Sequence, residues 1–244
     1  MKVAAWQAPL VGTSAEDVLA LIRRRVDDCA AEGVAILCCP EAVVGGLADD
    51  APDAFGTAIP TCDILSFLAP VANARLTTIV GFTERSSVGW LYNSAAVVGH
   101  GRLSGVYRKR HPAIRRSVYH AGRDSPVFQV DGACFGILIC YDSTCPELGA
   151  SLASRGARVI FVPTNNALPE SKPSSDLALA ARACDVALAT ANHCWVVRAD
   201  VAGVMGGLRS EGSSAIISPA GKTVSFARAL SDDLLVAEID LAAV

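Results

Sequence analysis

Short apolar runs alternate along the chain with longer segments whose apolar residues recur at helical spacing. This alternation predicts an α/β fold in which helices cover the faces of β-sheets. The pattern predicts four helices, at 15–31, 63–74, 145–155 and 174–185. It predicts twelve strands, at 2–7, 34–39, 76–82, 91–98, 102–108, 126–130, 133–139, 158–162, 187–192, 213–218, 223–227 and 234–239.

Local signals fix two of these boundaries. Ser14 stands before the first helix with Asp17 three residues later, which is a favourable N-terminal capping pattern, and Gly33 follows the helix end. The sequence Gly99-His100-Gly101 between two strands indicates a hairpin turn. The segments 43–61, 110–125, 164–173 and 193–211 read as loops, and we expect them to determine substrate selectivity.

Three predicted strands end in residues that carry chemistry. Cys140 ends one apolar run, Glu41 follows Pro40 at the end of another, and Lys109 lies where a third strand enters a cationic loop. A cysteine at a strand end is usually a packing residue. The carboxylate and the ammonium at neighbouring strand ends favour a reactive thiol instead, because sites in open α/β sheets form at such ends.

Thiol catalysis needs these three groups. A carboxylate base generates the thiolate, and once protonated it returns the proton to a leaving amine. A fixed cation, together with the backbone N–H of Tyr141, would stabilise the oxyanion of a tetrahedral intermediate.

The sequence resembles the nitrilase, or carbon–nitrogen hydrolase, superfamily. The residues that carry the resemblance are Pro40-Glu41, Tyr107-Arg108-Lys109-Arg110-His111, Cys140-Tyr141-Asp142 and Pro146-Glu147, with weaker matches from Val3-Ala4-Ala5-Trp6-Gln7 to Glu238-Ile239-Asp240. The resemblance implies Cys140 as nucleophile, Glu41 as general base and Lys109 as oxyanion-binding cation. It also implies a four-layer α-β-β-α sandwich that pairs into an eight-layer homodimer or a larger assembly.

The chain departs from the family pattern between Lys109 and Cys140. The family usually has a second Glu in this loop, whereas here Arg115 or Ser117 falls at that position. The departure leaves open a catalytically weakened scaffold that binds a ligand or partner. An alternative role for Arg115 or Arg116 is to pair with a substrate carboxylate. The simpler interpretation is that these arginines belong to a solvated basic loop.

Other polar residues near the strand ends have two readings each. Glu84 either hydrogen-bonds Lys109 or forms a surface salt bridge. Asn165 and Asn166 either contact substrate or form a turn. Asp142 is expected to cap the helix that starts near residue 145.

Composition narrows the class of protein. The chain has 244 residues, 52% of them hydrophobic, and no low-complexity linker or short-period repeat, which predicts a single domain over 1–244. Its net charge of −3 gives no reason to expect nucleic acid as a partner. No apolar run is long enough for a membrane span, and no secretory signal pattern is present. Nine cysteines without a Cys-x-x-Cys pair indicate reduced thiols in a cytoplasmic protein. We expect no metal and no cofactor.

Three function classes follow. The first, which we favour, is a thiol amidohydrolase that cleaves the C–N bond of a small amide, carbamoyl or nitrile substrate. The second is the catalytically weakened or silent scaffold that binds a ligand or partner. The third is a redox-sensing thiol protein, favoured by the cysteine count alone. The small, apolar residues of helices 145–155 and 174–185 favour a homodimer that buries them.

Overall fold

The computed structural model describes residues 1–10, 14–48, 51–73, 75–112, 118–172 and 175–242. The α-helices in these ranges are α1 (Ala15–Ala31), α2 (Ala51–Thr57), α3 (Ile64–Leu68), α4 (Pro146–Ser154) and α5 (Ser175–Asn192). Short 3₁₀ helices cover Thr61–Asp63, Ala69–Val71 and Cys140–Thr144.

The strands of the described residues form two sheets. The first contains β1 (Lys2–Pro9), β2 (Ile36–Cys38), β3 (Ile59–Pro60), β4 (Thr77–Arg85), β5 (Leu91–Gly99) and β6 (Arg102–Arg108), joined by β10 (Leu168–Pro169), β12 (Val201–Met205), β13 (Leu208–Ser210) and β16 (Asp233–Glu238). The second contains β7 (Val127–Val130), β8 (Ala133–Ile137), β9 (Val159–Pro163), β11 (Trp195–Ala199), β14 (Ala215–Ile217) and β15 (Thr223–Phe226).

Strand direction brings the site residues to one end of the molecule. In the first sheet β2 and β4 run parallel, and β5 is antiparallel to both β4 and β6, so β2, β4 and β6 point the same way. In the second sheet β8, β9 and β11 are mutually parallel. The carboxyl ends of these strands are therefore the places where loops can combine their side chains.

Three apolar layers hold the fold together. Residues such as Ile36, Ile79, Phe135 and Phe161 face each other between the two sheets. The opposite face of the first sheet packs on α1 and α3, and the opposite face of the second sheet packs on α4 and α5. This order of layers confirms the predicted α-β-β-α sandwich, and each buried aliphatic side chain contributes about 1.5–3 kcal/mol.

The first helix forms as its sequence predicts. The Ser14 side chain accepts a hydrogen bond from the Asp17 backbone N–H, 3.2 Å away, and Gly33 follows in the left-handed region with φ +73°. Val18, Ile22 and Val26 are buried at helical spacing. The hairpin of β5 and β6 also turns where predicted, at His100 and Gly101.

The predicted strand at 187–192 is wrong. These residues continue α5 to Asn192, because Ala and Leu favour helix and burial falls on Asp185, Leu188 and Ala189 at helical rather than alternating spacing. The strand follows instead at β11, where a buried Arg198 interrupts the apolar run that would have identified it.

Smaller differences concern loops. The predicted loop 43–61 contains α2 and β3, and the predicted loop 193–211 contains β11, β12 and β13. The predicted helix at 63–74 is a single α-helical stretch, α3, between two 3₁₀ turns, and Pro70 lies in the second of them. Proline lacks the backbone N–H that a continuing helix needs.

Candidate active site

Glu41 lies three residues after the end of β2, in a backbone turn shaped by close contacts. Its backbone N–H donates to the carbonyl of Thr164, at 3.2 Å, so the end of β2 in one sheet is tied to the end of β9 in the other. Gly81 of β4 passes against this turn, and a Cβ atom there would lie 2.2 Å from the Pro40 carbonyl oxygen. Only glycine fits at this approach.

Glu41 and Lys109 form a buried ion pair. Lys109 Nζ lies 2.6 Å from Glu41 Oε1, and the two residues are only 6% and 1% exposed. Asn93 Nδ2 donates to the same oxygen at 2.7 Å, and the Asn165 backbone N–H donates to Oε2 at 3.0 Å. The carboxylate is thereby held in one orientation by donors from three separate segments.

The ion pair keeps Lys109 charged. Burial alone would lower the pKa of the ammonium, but the negative charge of Glu41, supported by its hydrogen bond and by Cys140, raises that pKa above its ordinary value. Lys109 therefore provides a fixed positive charge in a site largely shielded from water.

Cys140 stands at the turn from β8 into the 3₁₀ helix Cys140–Thr144. Its φ of +48° lies in the left-handed region, which is uncommon for a residue with a Cβ and is found at functional turns. Ser143 Oγ donates to the Cys140 carbonyl at 2.8 Å and supports this conformation. Desolvation by the surrounding protein, followed by the nearby Glu41 charge, raises the pKa of the Cys140 thiol to about 12.

One cavity of about 190 Å³ joins these three residues. Its polar lining includes Asn93, Asn165 and Asn166, and Tyr141 stands in the wall with 46% of its surface exposed. The rest of the wall is mainly small or apolar, with side chains of Leu47, Pro112, Ala167, Leu168, Leu177, Ala180, Ala181 and Cys184. The cavity thus combines a thiol, a carboxylate and an ammonium with room for a small molecule.

Asp142 anchors the loop that follows Lys109. Its buried carboxylate accepts hydrogen bonds from Tyr107 Oη at 2.7 Å and from the backbone N–H groups of Arg110 and His111 at 3.1 and 2.8 Å. The expectation that Asp142 caps α4 is wrong, because its side chain binds across to the first sheet instead. Its position two residues after the cysteine was the available signal for a role near the site.

Arg198 is a site residue that the sequence did not suggest. It is buried in β11, forms two hydrogen bonds with Asp185 of α5 at 2.6 and 2.7 Å, and donates to Thr164 Oγ1 and Ser143 Oγ. The negative charge of Asp185 balances the positive charge of Arg198 beside the cavity. No local motif marked either residue, since the pair joins a helix to a strand.

Glu84 lies outside this cavity. Its buried carboxylate is paired with Arg108, not Lys109, through contacts of 2.5 and 2.8 Å, and it also accepts from Ser94 and Thr61. Consecutive residues of a strand point to opposite faces, which sends Arg108 and Lys109 to different carboxylates. Arg115, Arg116 and Ser117 lie outside the described residues.

Three side chains of the types that can bind a metal ion also lie together next to the site. His111, Cys145 and Glu147 bring one potential ligand atom each to within 4.8 Å of one another. No sequence motif predicts this set, because the residues come from two separate segments. Cys145 and Glu147 belong to the amino-terminal end of α4, where the helix dipole disfavours a cation, and we assign the cluster no role.

Comparisons with known proteins identify the family. The carbon-nitrogen hydrolase family model matches residues 2–244, and the chain belongs to this family. A nitrilase from Pyrococcus abyssi is 35% identical over 185 residues, which are 75% of this chain and 67% of the relative. An (R)-stereoselective amidase from a Pseudomonas species is 32% identical over 203 residues, covering 81% and 69% of the two chains.

Solved structures share the fold. The crystal structure of a carbon-nitrogen hydrolase from Helicobacter pylori G27 matches with a TM-score of 0.89 at 20% identity, covering 99% of this chain and 90% of that one. Across three of the curated relatives, the aligned stretch spans 59% to 67% of the relative's length. Among the helices of the described residues, none is long and apolar enough to cross a membrane.

Proposed function

We propose that this carbon–nitrogen hydrolase is a thiol amidohydrolase that cleaves a small, non-peptide amide, carbamoyl or nitrile substrate through a thioester at Cys140. The observation that carries the proposal is the shared cavity, in which the strand-end thiol faces the buried Glu41–Lys109 pair. The names of the two relatives above, a nitrilase and an amidase, fit this range of substrates.

For an amide, Glu41 removes the proton of the Cys140 thiol as sulfur attacks the carbonyl carbon. The electron pair of the C=O bond moves to oxygen, where Lys109 and the backbone N–H of Tyr141 stabilise the negative charge. As the C–N bond breaks, Glu41 returns its proton to the departing amine, which leaves a thioester. Glu41 then activates water, which hydrolyses the thioester and releases the acid and the free thiol.

A general base is needed because the thiol is neutral in the resting enzyme. With a pKa of about 12, Cys140 is protonated throughout the neutral range, so few thiolates exist before substrate arrives. Glu41 lies in the same cavity and is held by donors on both oxygens. The fixed orientation of the carboxylate favours proton transfer in both directions.

The proposal is tested by trapping the thioester. Wild-type protein mixed with short amides and quenched in acid should gain the mass of one acyl group, located on Cys140 by peptide mass spectrometry. Cys140→Ser should lose nearly all turnover while staying folded. Cys145→Ser, a matched change five residues further on, should keep both the adduct and turnover. Substantial turnover by Cys140→Ser would refute the assignment of the nucleophile.

The same experiment separates the other function classes. A folded wild-type protein that forms no adduct with ω-amides, carbamoyl amines, aliphatic amides or nitriles would instead be a binding scaffold. Reversible oxidation of Cys140 without turnover would indicate a redox sensor. The homodimer remains a prediction, which sedimentation velocity at micromolar concentration tests.

A further inference from the structure

A buried carboxylate behind the cavity holds Asn166. Asp200 follows β11, is fully buried, and accepts the Asn166 backbone N–H at Oδ1 and the Asn166 side-chain Nδ2 at Oδ2, both at 3.0 Å. Ser213 Oγ donates to Asp200 Oδ2 at 2.6 Å, and the Val201 backbone N–H donates to Oδ1 at 2.8 Å. Asp200 therefore acts as an acceptor for every one of these four donors.

These contacts determine which way the Asn166 amide points. A carboxylate accepts and does not donate, so the NH₂ group of Asn166 must face Asp200. Its Nδ2 is also 3.1 Å from Ser213 Oγ, which accepts because its own hydrogen is given to Asp200. Both amide hydrogens are committed, and the free carbonyl Oδ1 faces Cys140 Sγ at 3.8 Å.

The segment that carries Ser213 is itself fixed. Ser214 Oγ accepts the Asp200 backbone N–H at 2.8 Å, and the Ser214 N–H donates to Gln7 Oε1 at 3.3 Å. Gly212 has a φ of +83° and packs so closely on Gln7 that a Cβ would lie 2.3 Å from Oε1. Reorientation of the Asn166 amide would therefore break its contacts with Asp200, just after β11, and with Ser213, in the segment before β14.

In the resting protein, the thiol hydrogen of Cys140 is the donor that faces Asn166 Oδ1. When that proton passes to Glu41, Asn166 Oδ1 loses its hydrogen-bond donor, and the newly formed C–S bond lies next to it. A scissile amide has an N–H that can take this place, and the amine that forms as the C–N bond breaks offers more. A nitrile and an ester have no hydrogen on the corresponding atom.

We propose that Asn166 is a specificity-determining residue that accepts a hydrogen bond from the scissile nitrogen and so selects amides over esters and nitriles. Asp200 is the positioning residue that keeps the carbonyl of Asn166 turned toward the thiol. The proposal rests on the proposed function of Cys140, and it adds the feature of the substrate that the site recognises. An acceptor that gains its partner as the amine forms stabilises the transition state more than the bound amide.

The test compares substrates that share one acyl group. Propionamide, methyl propionate and propionitrile are measured for kcat/KM, and the two carbonyl substrates yield the same propionyl thioester at Cys140. In Asn166→Ala, the ratio of amide to ester kcat/KM should fall by about 10- to 100-fold, the order expected for one hydrogen bond to a buried group. Amide activity should fall while ester activity remains close to that of the wild type.

A second variant tests orientation without removing Asn166. Asp200→Asn allows either end of the Asn166 amide to face residue 200, so the same ratio should fall although Asn166 is present. Asn192→Ala, a matched change of an amide at the end of α5 that does not line the cavity, should leave the ratio unchanged. Circular dichroism of each variant checks that it is folded.

The possible failures are distinct. Parallel loss of amide and ester activity in Asn166→Ala, or an unchanged ratio, would overturn the role of Asn166 and leave the thioester mechanism intact. Absence of a propionyl adduct on Cys140 in the wild-type protein, from either carbonyl substrate, would overturn the proposed function and with it this inference.

Discussion

Two carboxylate–cation pairs stand side by side in the first sheet, and they differ in what surrounds them. Lys109 pairs with Glu41 and its neighbour Arg108 pairs with Glu84, so the last residue of β6 and the residue after it supply both cations. Both carboxylates are buried. Burial of an ion pair therefore does not by itself mark a reactive site.

The partners of each carboxylate account for the difference. Glu84 receives two hydrogen bonds from Arg108 and one each from Ser94 and Thr61, and the guanidinium lies 4.2 Å from the centre of the Tyr92 ring. Glu41 faces a cavity that also contains Cys140. We interpret the first pair as structural and the second as the pair that performs chemistry.

The largest expected effect comes from matched charge removal at the two carboxylates. Glu41→Gln should lower kcat by about 10²–10⁴-fold, because the amide cannot shuttle the proton. Glu84→Gln makes the same change in the other pair and should retain wild-type turnover. Steady-state kinetics with circular dichroism measures both variants, and equal losses in the two would remove the distinction between the pairs.

Removal of the two cations should also affect kcat differently, by a smaller factor than removal of the two carboxylates. Lys109→Ala should reduce kcat by about 10²–10³-fold, since it removes a preorganised donor to the oxyanion. It should also destabilise the fold by about 3–5 kcal/mol, because Glu41 is left buried without its cation. Arg108→Ala should keep its kcat, and urea unfolding of both variants reports stability. A near-wild-type rate for Lys109→Ala would exclude the assigned role.

The smallest expected effect is a pH dependence of stability that belongs to Glu84. Burial by itself raises the pKa of this carboxyl, but the hydrogen bonds from Arg108, Ser94 and Thr61 outweigh it and lower the pKa below its ordinary value. A lowered pKa in the folded state means that Glu84 stabilises the protein above the unfolded pKa, and this contribution is lost as pH falls through the folded value.

Urea unfolding of wild type and Glu84→Gln at several pH values isolates the contribution of Glu84. The difference in unfolding free energy should be constant near neutral pH and shrink below about pH 4.5. The buried Asp142, Asp185 and Asp200 have raised pKa values and act in the opposite sense, but they are common to both proteins and cancel. A difference that does not vary with pH would contradict the lowered pKa.

Sequence patterns predicted the parts of this molecule that depend on neighbouring residues. The α1 boundaries follow from Ser14 and Gly33, and the strand ends at Glu41, Lys109 and Cys140 follow from apolar runs that stop at polar residues. These signals are local in the chain, so a single sequence contains them. The family resemblance added the order of the layers, which local patterns do not specify.

The contacts around the site could not be predicted in the same way. Arg198 pairs with Asp185 across two elements, and Asp142 reaches from the second sheet to the loop after β6. Glu84 was expected either to hydrogen-bond Lys109 or to form a surface salt bridge, and strand alternation with the register of β4 on β5 places it against Arg108. Such pairings depend on how elements pack, which periodicity alone leaves open.

The close passage of Gly81 against Pro40 and Glu41 has a consequence for how this chain tolerates change over evolutionary time. Most buried positions tolerate substitution by an aliphatic residue of similar size at a modest cost in stability. At Gly81 even one added methyl group would meet the backbone at 2.2 Å and displace the segment that carries the carboxylate. We therefore expect substitution of residue 81 to be restricted by the position of the Glu41 segment, although residue 81 does not line the cavity.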